Sequence, residues 1–142
     1  TGNPVTDVIL TQKQKEAEEK GIDFRCKFMY PTDTGINAFD VSVILNNAIT
    51  NAFEGVNGCK NPYVSVSAYR KKNAYMLELT NCVCKSVEID DETGVPETTK
   101  KDKGSHGFGL ANIRKVAQKY YGDIDISQDE NSFTLTVMLM VE

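Results

Sequence analysis

FDVSVILNNAITNAFEG, residues 39–55, is the stretch on which the reading of this chain turns. Ile44, Leu45, Ala48, Ile49, Ala52 and Phe53 recur at helical spacing, which predicts an amphipathic helix over about 39–53 that stops at Gly55. Asn47, Asn51 and Glu54 stand at i, i+4 and i+7, so they share one line of that helix, at the border of its apolar face. Asparagine is a weak helix former because its side chain competes with the backbone, so Asn46, Asn47 and Asn51 together cost helix stability. A solvated polar face is one account of them. The other is chemical: a carboxamide oxygen is a good neutral ligand for Mg²⁺, which takes few protein groups and fills its shell with phosphate oxygens and water.

Upstream, Asn3 as a cap and Pro4 in a first turn predict a helix with Val5, Val8 and Ile9 as its apolar stripe. It runs through the charged stretch Lys13 to Lys20, a solvated face, and stops near Gly21. Phe24 to Tyr30 alternates as a strand, with Phe24, Cys26 and Phe28 on one side. Downstream, 63–69 and 74–81 predict a hairpin turning through Lys71, Lys72 and Asn73. Val64, Val66 and Ala68 share a face of the first strand, and Tyr75, Leu77 and Leu79 a face of the second. A third helix carries Leu110, Ile113, Val116, Ala117 and Tyr120, with Gly122 as its stop. Strands at about 123–127 and 133–141 close the chain. Hairpins and helices come in blocks, which predicts one α+β domain over 1–142: a two-layer sandwich with a mixed, largely antiparallel sheet of about five strands and three helices on one face.

A charged, irregular segment of about 85–106 separates the hairpin from the third helix, and a loop of that length in a compact domain is usually functional, disordered or both. We expect much of 86–105 to be mobile without a ligand. It leads into Gly104-Ser105-His106-Gly107-Phe108-Gly109-Leu110, three glycines ahead of a helix entry. Glycines let backbone approach a ligand closely, and a helix N-terminus offers free N–H groups to an anion, so phosphate binding is one reading and a plain flexible entry the other. Neither a Walker pattern nor a dinucleotide fingerprint is present.

The formal charge of −4, with both signs interspersed, shows no basic stripe, so no nucleic-acid partner is expected. No apolar run is long enough for a membrane span, and the first residues, with Asn3, Pro4 and Asp7, do not form a signal peptide. The lack of an initiator Met is read as a fragment of something longer. Cys26, Cys59, Cys82 and Cys84, with one histidine, lack the paired spacing of a zinc site and are expected to be free thiols in a reducing cytosol.

Taken together, Asn47-Ala48-Ile49-Thr50-Asn51-Ala52-Phe53-Glu54 resembles the N box of the GHKL ATPase superfamily, and Gly104 to Leu110 with Asn112 resembles its second glycine box. The form is that of the ATP-binding catalytic domain of sensor histidine kinases, a Bergerat-type fold. Thr1-Gly2-Asn3-Pro4 with Asp7 and Leu10, and Thr98-Thr99-Lys100 ahead of His106, are similar to the subgroup of accessory gene regulator type receptor kinases that sense peptide pheromones. The resemblance spans almost the whole chain.

It implies that Asn51 is a magnesium ligand, with Asn47 a supporting contact, that Gly104, Gly107 and Gly109 shape the phosphate-facing end of a lid, and that Leu110 is among the cofactor-binding residues. It also places His106 and Lys100 near the phosphates or the lid hinge. Relatives carry an Asp-x-Gly box whose Asp reads the adenine amino group; here Leu79-Thr80-Asn81-Cys82-Val83 puts Asn81 at that place. An Asn oxygen can accept from adenine, and its NH₂ can donate to a ring nitrogen. Hydrolysing relatives carry a general-base Glu where this chain has Asn47, which takes no proton at neutral pH, so transfer to an acceptor is expected over hydrolysis. His106 is read as a lid or phosphate contact, and the acceptor histidine as lying on an adjoining dimerisation domain outside the chain. The implied function is therefore Mg·ATP binding and transfer of the γ-phosphoryl group to that histidine, with a response regulator downstream. The implied parent is a membrane-bound homodimer of which this is a cytoplasmic domain. A non-catalytic nucleotide-binding module and a related anti-sigma-type serine kinase are the alternatives.

Overall fold

The computed structural model describes residues 3–32, 34–84 and 106–141, with the backbone alone at 106–108. Its helices are α1 (Pro4–Lys20), α2 (Ala38–Gly55) and α3 (His106–Lys119); its strands are β1 (Asp23–Lys27), β2 (Tyr63–Lys71), β3 (Ala74–Cys82), β4 (Asp123–Gln128) and β5 (Ser132–Met140). The five strands form one sheet in the order β1-β2-β3-β5-β4, with β1 parallel to β2 and the other pairs antiparallel. α2 makes the crossover between the two parallel strands, as such a pair requires.

Alternation along the strands decides which face is covered. Val64, Val66 and Ala68 on β2, Tyr75, Leu77 and Leu79 on β3, and Leu135, Val137 and Leu139 on β5 are all buried. Register sets them side by side, Ala68 against Leu77 and Leu77 against Val137. The α2 stripe Val41, Ile44, Leu45, Ala48, Ile49, Ala52 and Phe53 is buried in the same core, as are Leu110, Ile113 and Ala117 of α3. The other face of β3 and β5 pairs Thr80 with Thr134 through their hydroxyls at 3.0 Å. This is the layered α+β sandwich predicted from the sequence.

Three local predictions are corrected. α1 is capped by Asn3, whose Oδ1 accepts from Val5 N at 2.8 Å, but it buries Thr6, Leu10 and Ala17 and leaves Val8 57% exposed. Thr6, Leu10 and Ala17 lie at i, i+4 and i+11 on one face, from which Val8 points away. Lys13, read as part of a solvated run, instead donates to Thr50 Oγ1 at 3.0 Å and ties α1 to α2. β1 ends at Lys27 rather than Tyr30; Phe24 and Phe28 are buried, but Cys26 between them is exposed.

The far ends of α2 and α3 are locked by Asp40. Its carboxylate accepts from Lys119 Nζ at 2.8 Å and from the Tyr120 hydroxyl, whose oxygen accepts from Asn37 N at 3.1 Å. Partial burial pushes the Asp40 carboxyl up, but the hydrogen bonds from Lys119 and Tyr120 outweigh it and hold the group below the ordinary aspartate range. A depressed folded-state pKa contributes stability above the unfolded value and loses it as pH falls through the folded one. Asp40→Asn is therefore expected to be less stable than the native chain at pH 7, with the gap closing on acidification below the ordinary aspartate range. Urea denaturation at neutral and acid pH checks this, and a gap independent of pH would contradict it.

Candidate functional site

The row Tyr75, Leu77, Leu79 points into the core, and the next residue in the row, Asn81, points there too, 4% exposed. A buried carboxamide needs partners. Asn81 Nδ2 donates to the Cys82 carbonyl at 2.9 Å, and the group lies so close to α2 that a Cβ on Gly55 would come within 2.8 Å of Nδ2. Gly55 was read from the sequence as a helix stop. It is the last residue of α2, followed by Val56 as the cap, and its missing side chain is what lets β3 bring Asn81 against the helix. Its signal was its place one turn beyond Asn51, at i+4.

Asn51 lies one turn earlier on the same line, half-buried. Its Nδ2 is sealed from solvent and has no hydrogen-bond partner among the described residues. Facing it is Gly109 of α3, where a Cβ would stand 3.0 Å from Nδ2 and 3.3 Å from Oδ1. The three elements α2, β3 and α3 thus converge on two carboxamides through two glycines. Rotating the Asn51 side chain exchanges its nitrogen and oxygen, so the same group can offer an oxygen to a cation. With its oxygen turned to the place the unpartnered nitrogen holds, Asn51 fits Mg²⁺, which needs few protein oxygens.

The remaining predicted residues are placed unevenly. Asn47 is half-buried and its Nδ2 donates to Val43 O at 2.9 Å, one turn back on its own helix, which ties one of its two N–H groups to that helix. Gly107 and Gly109 are not a loop before α3 but lie inside it, because the helix begins at His106. Close packing against Asn51 at Gly109 outweighs the low helix propensity of glycine there. Leu110 is buried in the core, so it supports α3 from beneath. His106 opens the helix. Lys100, Gly104 and the mobility expected for 86–105 lie outside the described residues.

Two hollows on the surface contain none of these groups. One of about 1000 Å³ lies between α1 and β1, lined by Leu10, Gln14 and Phe28 among others. One of about 630 Å³ lies by the end of α2, lined by Lys20, Phe53 and Asn57 among others. Size alone does not make either the site: neither gathers the converging carboxamides of Asn51 and Asn81, the first with an unpartnered nitrogen among the described residues. Among the described residues no helix is long and apolar enough to cross a membrane, and no cluster of His, Cys, Asp and Glu forms a metal site. An Asn-based cation site of the kind above is not such a cluster.

Residues 36–140 match the family model described as GHKL domain. The chain belongs to the GHKL family. The matched segment contains α2, the hairpin, α3 and the last two strands, so every described site residue of this GHKL domain falls within it. Its fold is that of the catalytic domain of the histidine kinase ThkA, with a TM-score of 0.78 at 17% identity, covering 99% of this chain and 92% of that one. The histidine kinase AdeS of Acinetobacter baumannii gives a TM-score of 0.68 at 14% identity, covering 97% of this chain and 64% of that one. No curated protein matches this chain.

Proposed function

We propose that this GHKL domain binds Mg·ATP between α2 and α3 and passes the γ-phosphoryl group to a histidine on an adjoining dimerisation domain. The observation that carries the reading is the Asn51 carboxamide, whose Nδ2 is sealed and unpartnered among the described residues, with Gly109 held against it. Mg²⁺ held at Asn51 would supply neutralisation of the charge on the phosphates. Asn51 would supply one oxygen ligand, and the N-terminus of α3 would face its free N–H groups toward the phosphates. Asn81 would meet the adenine edge from β3 with its oxygen as acceptor, one N–H of its NH₂ being held by Cys82 O. Asn47, turned back on Val43, offers no base for water. The chain's own residues therefore bind and orient, and the acceptor must come from elsewhere.

The finer reading follows the sequence: a cytoplasmic domain of a membrane-bound, homodimeric receptor kinase of the peptide-pheromone type, feeding a response regulator. It rests on Thr1 to Asp7, Leu10 and Thr98 to His106. A non-catalytic nucleotide-binding module is the second reading, favoured by Asn81 at the place of the usual Asp. The two part on label transfer in the full receptor. Incubated with γ-labelled ATP, the native receptor is expected to gain acid-labile, alkali-stable phosphate on a histidine outside this domain, and Asn51→Ala to lose at least about 100-fold in rate. ATP binding without any such label would favour the non-catalytic module, and acid-stable label on a serine the anti-sigma-type kinase.

A further inference from the structure

We propose that Cys59 and Cys84 form a reversible disulfide that couples the thiol redox state to the nucleotide site. The fold brings Cys59 to Cys82 and Cys84, which lie 23 and 25 positions further along the sequence. Cys59, in the turn after α2, packs half-buried against the core; Cys82 ends β3 and is buried; Cys84 follows two residues later and is exposed. The Cys59 thiol has Cys82 and Cys84 as neighbours, and both raise its pKa. Cys84 Sγ is seated on the same turn: it lies 3.4 Å from Asn57 O, and a Cβ on Gly58 would be 3.2 Å from it. Cys82 Sγ accepts from Tyr63 N at 3.4 Å and is screened from solvent at the start of β2. Cys84 is thus the accessible thiol and Cys59 its neighbour.

The oxidant is a low-molecular-weight disulfide, RSSR. The Cys84 thiolate attacks one of its sulfurs, the S–S bond breaks, and the departing RS⁻ takes up a proton. Cys59 then gives its proton to solvent and attacks Cys84 Sγ, expelling the second RS⁻, which is protonated in turn. Two protein thiols are oxidised to one disulfide and RSSR is reduced to two RSH. Burial and the two neighbouring sulfurs push the Cys59 thiol up to about 12, so the second step should quicken as pH rises.

Closing the bridge draws two non-bonded sulfurs to roughly 2.05 Å, a movement shared by the turn after α2 and the end of β3. Asn81 and Gly55, already at contact, lie just ahead of these two segments, so the movement reaches the Asn81 carboxamide. This coupling rests on the nucleotide reading above; the bridge itself does not.

The test uses the folded domain carrying Cys26→Ser, which leaves three thiols, treated with oxidised glutathione and freed of excess. One thiol should remain titratable after denaturation, with a Cys59–Cys84 linked peptide that dithiothreitol releases. Adding Cys59→Ser should arrest the reaction as a glutathione adduct on Cys84. An adduct alone in the Cys59-containing protein, or a bridge to Cys82, would overturn the pairing. Mg·ATP affinity of the oxidised form should fall at least threefold; equal affinity would overturn the coupling. If neither form binds Mg·ATP, the nucleotide reading fails while the thiol count still judges the bridge.

Discussion

Gly122→Ala is expected to destabilise the domain by about 3–5 kcal/mol, a large part of the stability of a domain this size. A Cβ at Gly122 would stand 1.7 Å from the Met138 carbonyl oxygen and 2.7 Å from its carbon. Both are backbone atoms of β5, so no side chain can swing aside. Nor can β5 retreat easily: Met140 N donates to Tyr120 O at 3.0 Å, and Asp123 pairs with Met138 in the next ladder position. The sequence assigned Gly122 the stop of α3, yet the left-handed residue there is Tyr121, at φ 60°. Gly122 is needed because α3 turns straight into β4 against β5. Urea denaturation would measure the loss, and a cost below about 1 kcal/mol would show that the turn can open without breaking the sheet.

Gly109→Val is expected to remove Mg·ATP affinity by at least about 30-fold while leaving the fold in place. Alanine at this position would already set a Cβ 3.0 Å from Asn51 Nδ2, which the carboxamide can relieve by shifting a few tenths of an ångström. The two methyl groups of valine require the Asn51 side chain to leave its position between α2 and α3. Helix propensity moves the other way, since valine is better than glycine by a few tenths of a kcal/mol within a helix. Circular dichroism and the melting temperature would therefore stay near native while titration with Mg·ATP loses its signal. Native affinity in the variant would separate Gly109 from the site.

The contrast between these two glycines shows what local pattern carries and what it does not. The α2 stripe, the β2–β3 hairpin and the closing strands were legible because burial follows helical or alternate spacing, and Ile44, Ile49, Leu77 and Val137 are all fully buried as that spacing requires. Asn51 was legible for the same reason: it broke the pattern of a good helix. Features set by contacts between distant segments were not. Gly55 meets Asn81 across 26 positions, Asn57 meets Cys84 across 27, and Lys13 meets Thr50 across 37, with no periodicity to announce any of them. The glycines of α3 misled in a particular way. Local propensity assigned Gly107 and Gly109 to a loop, whereas helix-to-helix approach at Asn51 accounts for glycine at 109. α1 misled through its apolar residues, since Thr6 rather than Val8 faces the core.

The central claim is that Asn51 holds the cation of Mg·ATP, and calorimetric titration tests it most directly. The native domain is expected to bind ATP at one site in the presence of Mg²⁺ and much more weakly in its absence. Asn51→Ala should reduce the Mg²⁺-dependent affinity to the metal-free level, with the melting temperature of the unliganded domain near native. Mg²⁺-dependent binding of equal strength in the native and Asn51→Ala proteins would contradict the account.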